Sequence, residues 1–193
     1  LNLSFLPNLL TIGRMLVVPP MVWLLLIGEY QWALALAVFA GVSDLLDGWL
    51  ARRFGWQTRW GGVFDPLADK LLMMAGYLTL GWLGELPWWL IGMVVFRDLV
   101  IVVGGYIYYT RFERFEAEPT QLSRFNTFCQ VFLLWFVLVR LAGVSLPPEA
   151  QIGLVWLVGV LVVLTLVQYV WIWAGRAVEV SRSRREGGDG PAS

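Results

Sequence analysis

Four aspartates fall within 26 positions of a mostly apolar chain: Asp44, Asp47, Asp65 and Asp69. Asp44 and Asp47 are three apart, and Asp65 and Asp69 four apart, so on helices each pair lies on one face. A charge at bilayer depth costs about 2.5–3.5 kcal/mol on insertion scales, so four carboxylates demand a cationic partner. Arg52 and Lys70 offset two charges at most, and Lys70 is turned about 100° from Asp69 on a helix. All-oxygen donors select a hard divalent ion, Mg2+ or Mn2+. Four carboxylates suffice for two such ions, about 3.5–4 Å apart as in phosphoryl-transfer sites. Pairing with Arg52, Arg53 and Lys70 alone would offset three of the four charges and would not explain the helical spacing of the acids.

The rest of the inventory narrows the chemistry. There is no His, and Cys129 is the single Cys, so imidazole catalysis, His or thiolate metal sites and disulfides are excluded. Catalysis must run on carboxylates, hydroxyls, Arg and Lys70, the one Lys. Gly48 follows Asp47, and Ala51 lies a turn further on, so a ligand can approach that helix closely. Gly61 and Gly62 precede Asp65, and Asp65-Pro66 predicts an N-cap followed by Pro in the first turn. The result is a small-walled acidic pocket open to the cytoplasm.

These groups need elements to hold them. The chain has 193 residues, room for one domain; 59% are apolar and only 15% charged, so the apolar excess must face lipid. Six apolar stretches, 9–27, 32–50, 66–83, 87–109, 125–144 and 152–173, predict an all-α integral membrane protein with six transmembrane helices. The bases gather in the connections 51–65 and 110–124 and after residue 175. The turns near Glu29, Glu85 and Glu149 lack them, Arg140 being the nearest exception. That bias predicts both termini and both long loops on the cytoplasmic side. The expected location is a bacterial inner (cytoplasmic) membrane, with the site at its cytoplasmic interface. Net charge is zero, so no global field recruits nucleic acid. Residues 176–193 are basic and Gly-rich and predict a disordered cytoplasmic tail beyond a membrane domain of 1–175. Arg97 lies deep in the fourth stretch, where it needs a partner: Asp98, a metal-site acid or the substrate.

Written out, Asp44-x2-Asp47-Gly48-x2-Ala51-Arg52-x8-Gly61-x3-Asp65-x3-Asp69 resembles the signature of the CDP-alcohol phosphotransferases at all eight fixed positions. The resemblance extends over residues 6–142. It implies a six-helix membrane enzyme, usually a homodimer, that transfers a phosphatidyl or related group from a CDP-linked donor to an alcohol and releases CMP. The four acids would hold two divalent ions, and Asp69 would also be the base on the acceptor hydroxyl. Gly48, Ala51, Arg52 and Gly61 would line the site of CDP-diacylglycerol. The opening FLPNLLTIGR, with Asn8 and Thr11, also resembles family members and adds both residues to that site. Read locally, Asn8 is equally an N-cap of the first helix. The residues alone reach a compatible mechanism, because a phosphoanhydride puts developing charge on oxygens that two metals can clamp. Without His, a carboxylate is the expected proton acceptor.

The acceptor is read from finer features. Arg97-Asp98 followed by Tyr106, Tyr108 and Tyr109 is similar to the cardiolipin synthase branch, as is Pro119-Thr120-x2-Ser123-Arg124-x-Asn126-Thr127. That branch usually has Lys where Arg124 stands. Asn126 removes a cation that a phosphate-bearing acceptor would want. Phosphatidylglycerol is therefore expected, with Lys70, Arg97 and Arg124 as acceptor-binding cations; glycerol 3-phosphate is the alternative. A divalent-cation carrier would place its acids nearer the midplane, with access from both sides.

Overall fold

A computed structural model describes residues 6–54, 61–112 and 120–186, with side-chain placement for 13, 15–43, 46, 70–104 and 120–172. Six helices follow one another: α1 (Leu6–Leu26), α2 (Tyr30–Phe54), α3 (Gly61–Trp82), α4 (Trp88–Phe112), α5 (Gln121–Leu141) and α6 (Pro148–Glu186). No strand occurs among the described residues. Pro19 and Pro20 lie inside α1 and deprive it of two ladder donors, yet the helix runs on through them.

Three turns share one construction. Gly28, Gly84 and Gly143 have φ of 82°, 79° and 103°, a left-handed conformation that only Gly adopts freely. Each ends a helix with paired hydrogen bonds: Gly28 N–H to Leu25 O and Glu29 N–H to Leu24 O, with counterparts at Gly84–Glu85 and Gly143–Val144. These are Schellman caps, which satisfy the last carbonyls in very few residues. They bind α1 to α2, α3 to α4 and α5 to α6 at the end of the molecule away from the acids. Arg140, the base out of place there, pairs with Glu85. The backbone carbonyl of Glu85 also accepts from Gln151 Nε2 at 2.8 Å, so one residue ties α3, α5 and α6 together.

The core is contiguous, and α5 is central to it: Leu133, Leu134, Val137 and Leu138 are buried among Leu80, Leu90, Val94, Val158 and Val162. α1 packs on α2 and α3, α4 on α3 and α6, and α5 on α2, α3 and α6. Gly76 allows the α3–α5 approach, since a Cβ there would stand 2.7 Å from Leu134 Cδ1. Outside, large apolar side chains such as Trp23, Phe39, Phe96, Phe128 and Trp156 are exposed, while Arg97, Asn126 and Gln130 are buried. That inversion suits an apolar surrounding medium. Two segments, Gln121–Leu141 and Pro148–Ile172, are long and apolar enough to cross a membrane.

Several expected helix boundaries move. α3 begins at Gly61, so Asp65 is not an N-cap and Pro66 is not in the first turn. The Gly pair forms that turn itself, because a helix extended by packing overrides a weak local breaker. α1 begins at Leu6, which puts Asn8 inside the helix rather than at its cap. Residues 51–54 and 61–65 of the expected connection are helical, since α2 runs to Phe54 and α3 begins at Gly61. α6 continues to Glu186, so residues 176–186 of the expected disordered tail are helical. Propagating a formed helix through Arg, Glu and Ser costs little per residue. Gly187 and Gly188, poor helix formers, come next in sequence.

Candidate active site

α2 carries Asp44, Asp47, Gly48, Ala51 and Arg52, and α3 carries Gly61, Asp65 and Asp69. Both acid pairs therefore occupy helical register, at i, i+3 and i, i+4, as their spacing predicts. Asn8 and Thr11 lie on α1. The side chains of all these residues lie outside the described residues. Helix packing relates their elements: α1 contacts both α2 and α3, and so does α5. Among the described side chains no three metal-ligating residues gather. The donor set fits a hard divalent ion by its chemistry, since the acids are all carboxylates on two helices that share both packing partners.

From Lys70 onward the geometry is explicit. Lys70 Nζ lies 3.3 Å from Asp98 Oδ2, joining α3 to α4. The other carboxylate oxygen of Asp98 accepts from Arg97 NH1 at 2.7 Å. Arg97 is only 4% exposed. Its NH2 donates to Ser123 Oγ on α5. Ser123 is positioned by the α5 N-cap: Thr120 Oγ1 accepts from Ser123 N–H at 3.2 Å and donates to Gln168 Oε1 on α6 at 3.0 Å. One polar chain thus runs from the residue after Asp69 across α4 and α5 to α6. Two cations share one carboxylate, so this cluster keeps a net positive charge.

Of the expected acceptor cations, Lys70 and Arg97 come together through Asp98. Arg124 does not join them: it is exposed, one residue from Ser123, and has no ion pair among the described residues. The partner that sequence left open for Arg97 is Asp98, with Ser123 as the second. Ser123 appeared in the sequence only as part of a motif. Its position in the first turn of α5, one turn before Asn126 on an otherwise apolar helix, is the signal that could have singled it out.

Ser123, Asn126 and Gln130 recur at i, i+3 and i+7 on α5 and form a buried polar stripe. Both side-chain polar atoms of Asn126, and Nε2 of Gln130, lack hydrogen-bond partners among the described residues. Tyr77 donates its hydroxyl to the Gln130 backbone carbonyl at 3.0 Å. Gln130 also lines a cavity of about 220 Å³ between α3, α4 and α5, with Lys70 and Asp98 at its polar end.

Among the described residues, six helices around a buried cationic cluster, two of them long and apolar enough to cross a membrane, define an all-helical protein suited to an apolar environment. The chain belongs to the CDP-alcohol phosphatidyltransferase family, whose sequence profile matches residues 4–180. It is 35% identical over 185 residues to a probable cardiolipin synthase (CMP-forming) of Drosophila melanogaster, covering 88% of this chain. It is 33% identical over 154 residues to a cardiolipin synthase (CMP-forming)/mitochondrial hydrolase fusion protein of Schizosaccharomyces pombe, covering 72% of this chain. It is also 33% identical over 162 residues, 75% of the chain, to the chloroplastic CDP-diacylglycerol–glycerol-3-phosphate 3-phosphatidyltransferase 1 of Oryza sativa subsp. japonica. The matches span 58%, 26% and 47% of those relatives, about half their length or less.

Proposed function

We propose that this chain transfers a phosphatidyl group from CDP-diacylglycerol to phosphatidylglycerol, giving cardiolipin and CMP in phospholipid biosynthesis. The observation that carries the reading is the Lys70–Asp98–Arg97 cluster, held between three helices and contiguous in sequence with the signature acid Asp69. It offers a phosphodiester a net positive charge, one member of the cluster following in sequence the residue assigned to the acceptor hydroxyl. In this reading the acceptor oxygen attacks the phosphorus that bears the diacylglycerol. The phosphoanhydride bond to CMP breaks, and Asp69 takes the hydroxyl proton. Asp44, Asp47, Asp65 and Asp69 would hold two Mg2+ or Mn2+ ions. Bound there, the ions would neutralise charge that develops on the pyrophosphate oxygens. Gly48, Ala51, Arg52, Gly61, Asn8 and Thr11 would line the donor site, and Lys70, Arg97 and Arg124 the acceptor site.

All six helices spanning the membrane, both termini cytoplasmic and a homodimer complete the proposal. Residues 1–175 would form the catalytic membrane domain and 176–193 a cytoplasmic extension, in a bacterial inner membrane. The exposed apolar side chains on α1 to α4 support spanning by more than the two longest apolar segments. The rice relative keeps glycerol 3-phosphate as a second acceptor. One experiment decides: the purified chain in vesicles with CDP-diacylglycerol and Mg2+, offered either acceptor, with products separated by mass. Cardiolipin is expected. A product from glycerol 3-phosphate and none from phosphatidylglycerol would overturn the acceptor, and absence of CMP release with both would overturn the activity.

A further inference from the structure

We infer that the cavity between α3, α4 and α5 takes one acyl chain of the acceptor phospholipid, with Gln130 donating to its ester carbonyl. The inference rests on the proposed acceptor and adds a specificity-determining residue to it. The cavity, about 220 Å³, is smaller than the ~300–1,000 Å³ of sites that enclose a whole small ligand. It suits a segment of a chain whose remainder lies outside.

Its rim is built for lateral entry. Leu71 and Met74 on α3 and Leu99 and Val102 on α4 line it and are exposed at 45%, 41%, 56% and 57%. Its floor is Gln130, 2% exposed, whose Nε2 has no partner among the described residues. An amide N–H2 left unpaired against apolar walls forfeits its hydration, so an occupant that offers an acceptor is favoured there. An acyl chain carries one such group, the ester carbonyl, at the end nearest its headgroup.

The polar end identifies which lipid. Lys70 and Asp98 line the cavity, and Arg97 stands behind Asp98, so two cations to one carboxylate complement a monoanionic phosphodiester. On α5 the distance from Ser123, at the level of Arg97, down to Gln130 is seven residues, about 10 Å of helix. Phosphate, glycerol and ester carbonyl are laid out along that direction in a glycerophospholipid. Asp69, the proposed base, precedes Lys70 on α3.

The test uses the full chain in phosphatidylcholine vesicles with phosphatidylglycerol bearing a diazirine on the third carbon of one acyl chain, close to the ester. After irradiation, adducts are mapped by mass spectrometry, with no turnover required. Adducts are expected at Met74, Tyr77, Ile91 or Val94, which line the cavity on the Gln130 side, reduced at least tenfold by Met74→Trp or, from the opposite wall, Leu99→Trp. Unlabelled phosphatidylglycerol should compete and CDP-diacylglycerol should not. Labelling elsewhere, labelling unchanged in both Trp variants, or displacement by the donor would overturn the inference. In turnover, Gln130→Leu should raise the KM for phosphatidylglycerol about fivefold, the worth of one neutral hydrogen bond, with the KM for CDP-diacylglycerol unchanged. An unchanged acceptor KM would remove Gln130 from the site. Failure of the wild type to form cardiolipin would refute the acceptor itself, and product mass reads that separately from labelling.

Discussion

Replacing Asp98 with Asn isolates the electrostatic part of the Arg97 cluster, because Asn keeps the volume and one acceptor oxygen while removing the charge. Arg97 is 4% exposed and already has an unpartnered Nε, so Asp98 is its one counter-ion among the described residues. Breaking a buried pair by removing one partner costs about 3–5 kcal/mol. Asp98 is 29% exposed and is shared with the half-exposed Lys70, so screening and the retained acceptor bring this to about 2–3 kcal/mol. For a chain of this size that amounts to a fall on the order of 5–10 °C in thermal midpoint. The assay is intrinsic-fluorescence melting of the purified protein in detergent micelles at one fixed scan rate, using the chain's 12 Trp. The control is the double variant Arg97→Gln with Asp98→Asn. With both charges gone no buried ion is left unpaired, so the double variant should be more stable than the sum of the two singles predicts, by about 2 kcal/mol. A midpoint for Asp98→Asn within about 1 °C of wild type, or strict additivity, would refute the claim that Asp98 compensates Arg97.

Three further outcomes follow from the proposed chemistry. Asp47→Asn, or chelation of Mg2+ from the wild type, should abolish CMP release; near wild-type turnover of the variant at saturating Mg2+ would contradict a two-metal site. Asp69→Asn should keep most of its CDP-diacylglycerol affinity while losing turnover, whereas Gly48→Leu should lose donor binding, both measured by equilibrium binding alongside CMP release. Arg124→Ala should raise the acceptor KM about tenfold or more, the worth of a charge-assisted phosphate contact, with a smaller effect on the donor; an unchanged acceptor KM would return Arg124 to a surface anchor.

What the sequence determines here is periodic and local. Apolar runs predict six helices, and six form among the described residues, because a helix satisfies its backbone groups within its own segment. The acids of α2 and α3 hold helical register because spacing along one helix needs no knowledge of any other. Helix ends were less legible. Asp65, Asn8 and the segment after residue 175 carried plausible local signals, yet α3, α1 and α6 run past them. A cap is worth about 1 kcal/mol, which packing of a whole helix readily outweighs. Only the tertiary structure decided which side chains meet across helices. Lys70 and Asp98 are 28 residues apart, Arg97 and Ser123 26, Glu85 and Arg140 55, and no periodicity encodes those encounters. Arg97 had three conceivable partners in the sequence; it pairs with its neighbour Asp98 on α4, and only the tertiary structure brings Ser123 of α5 within its reach. The same packing makes Gln130, one polar residue among many on an apolar helix, the floor of a cavity.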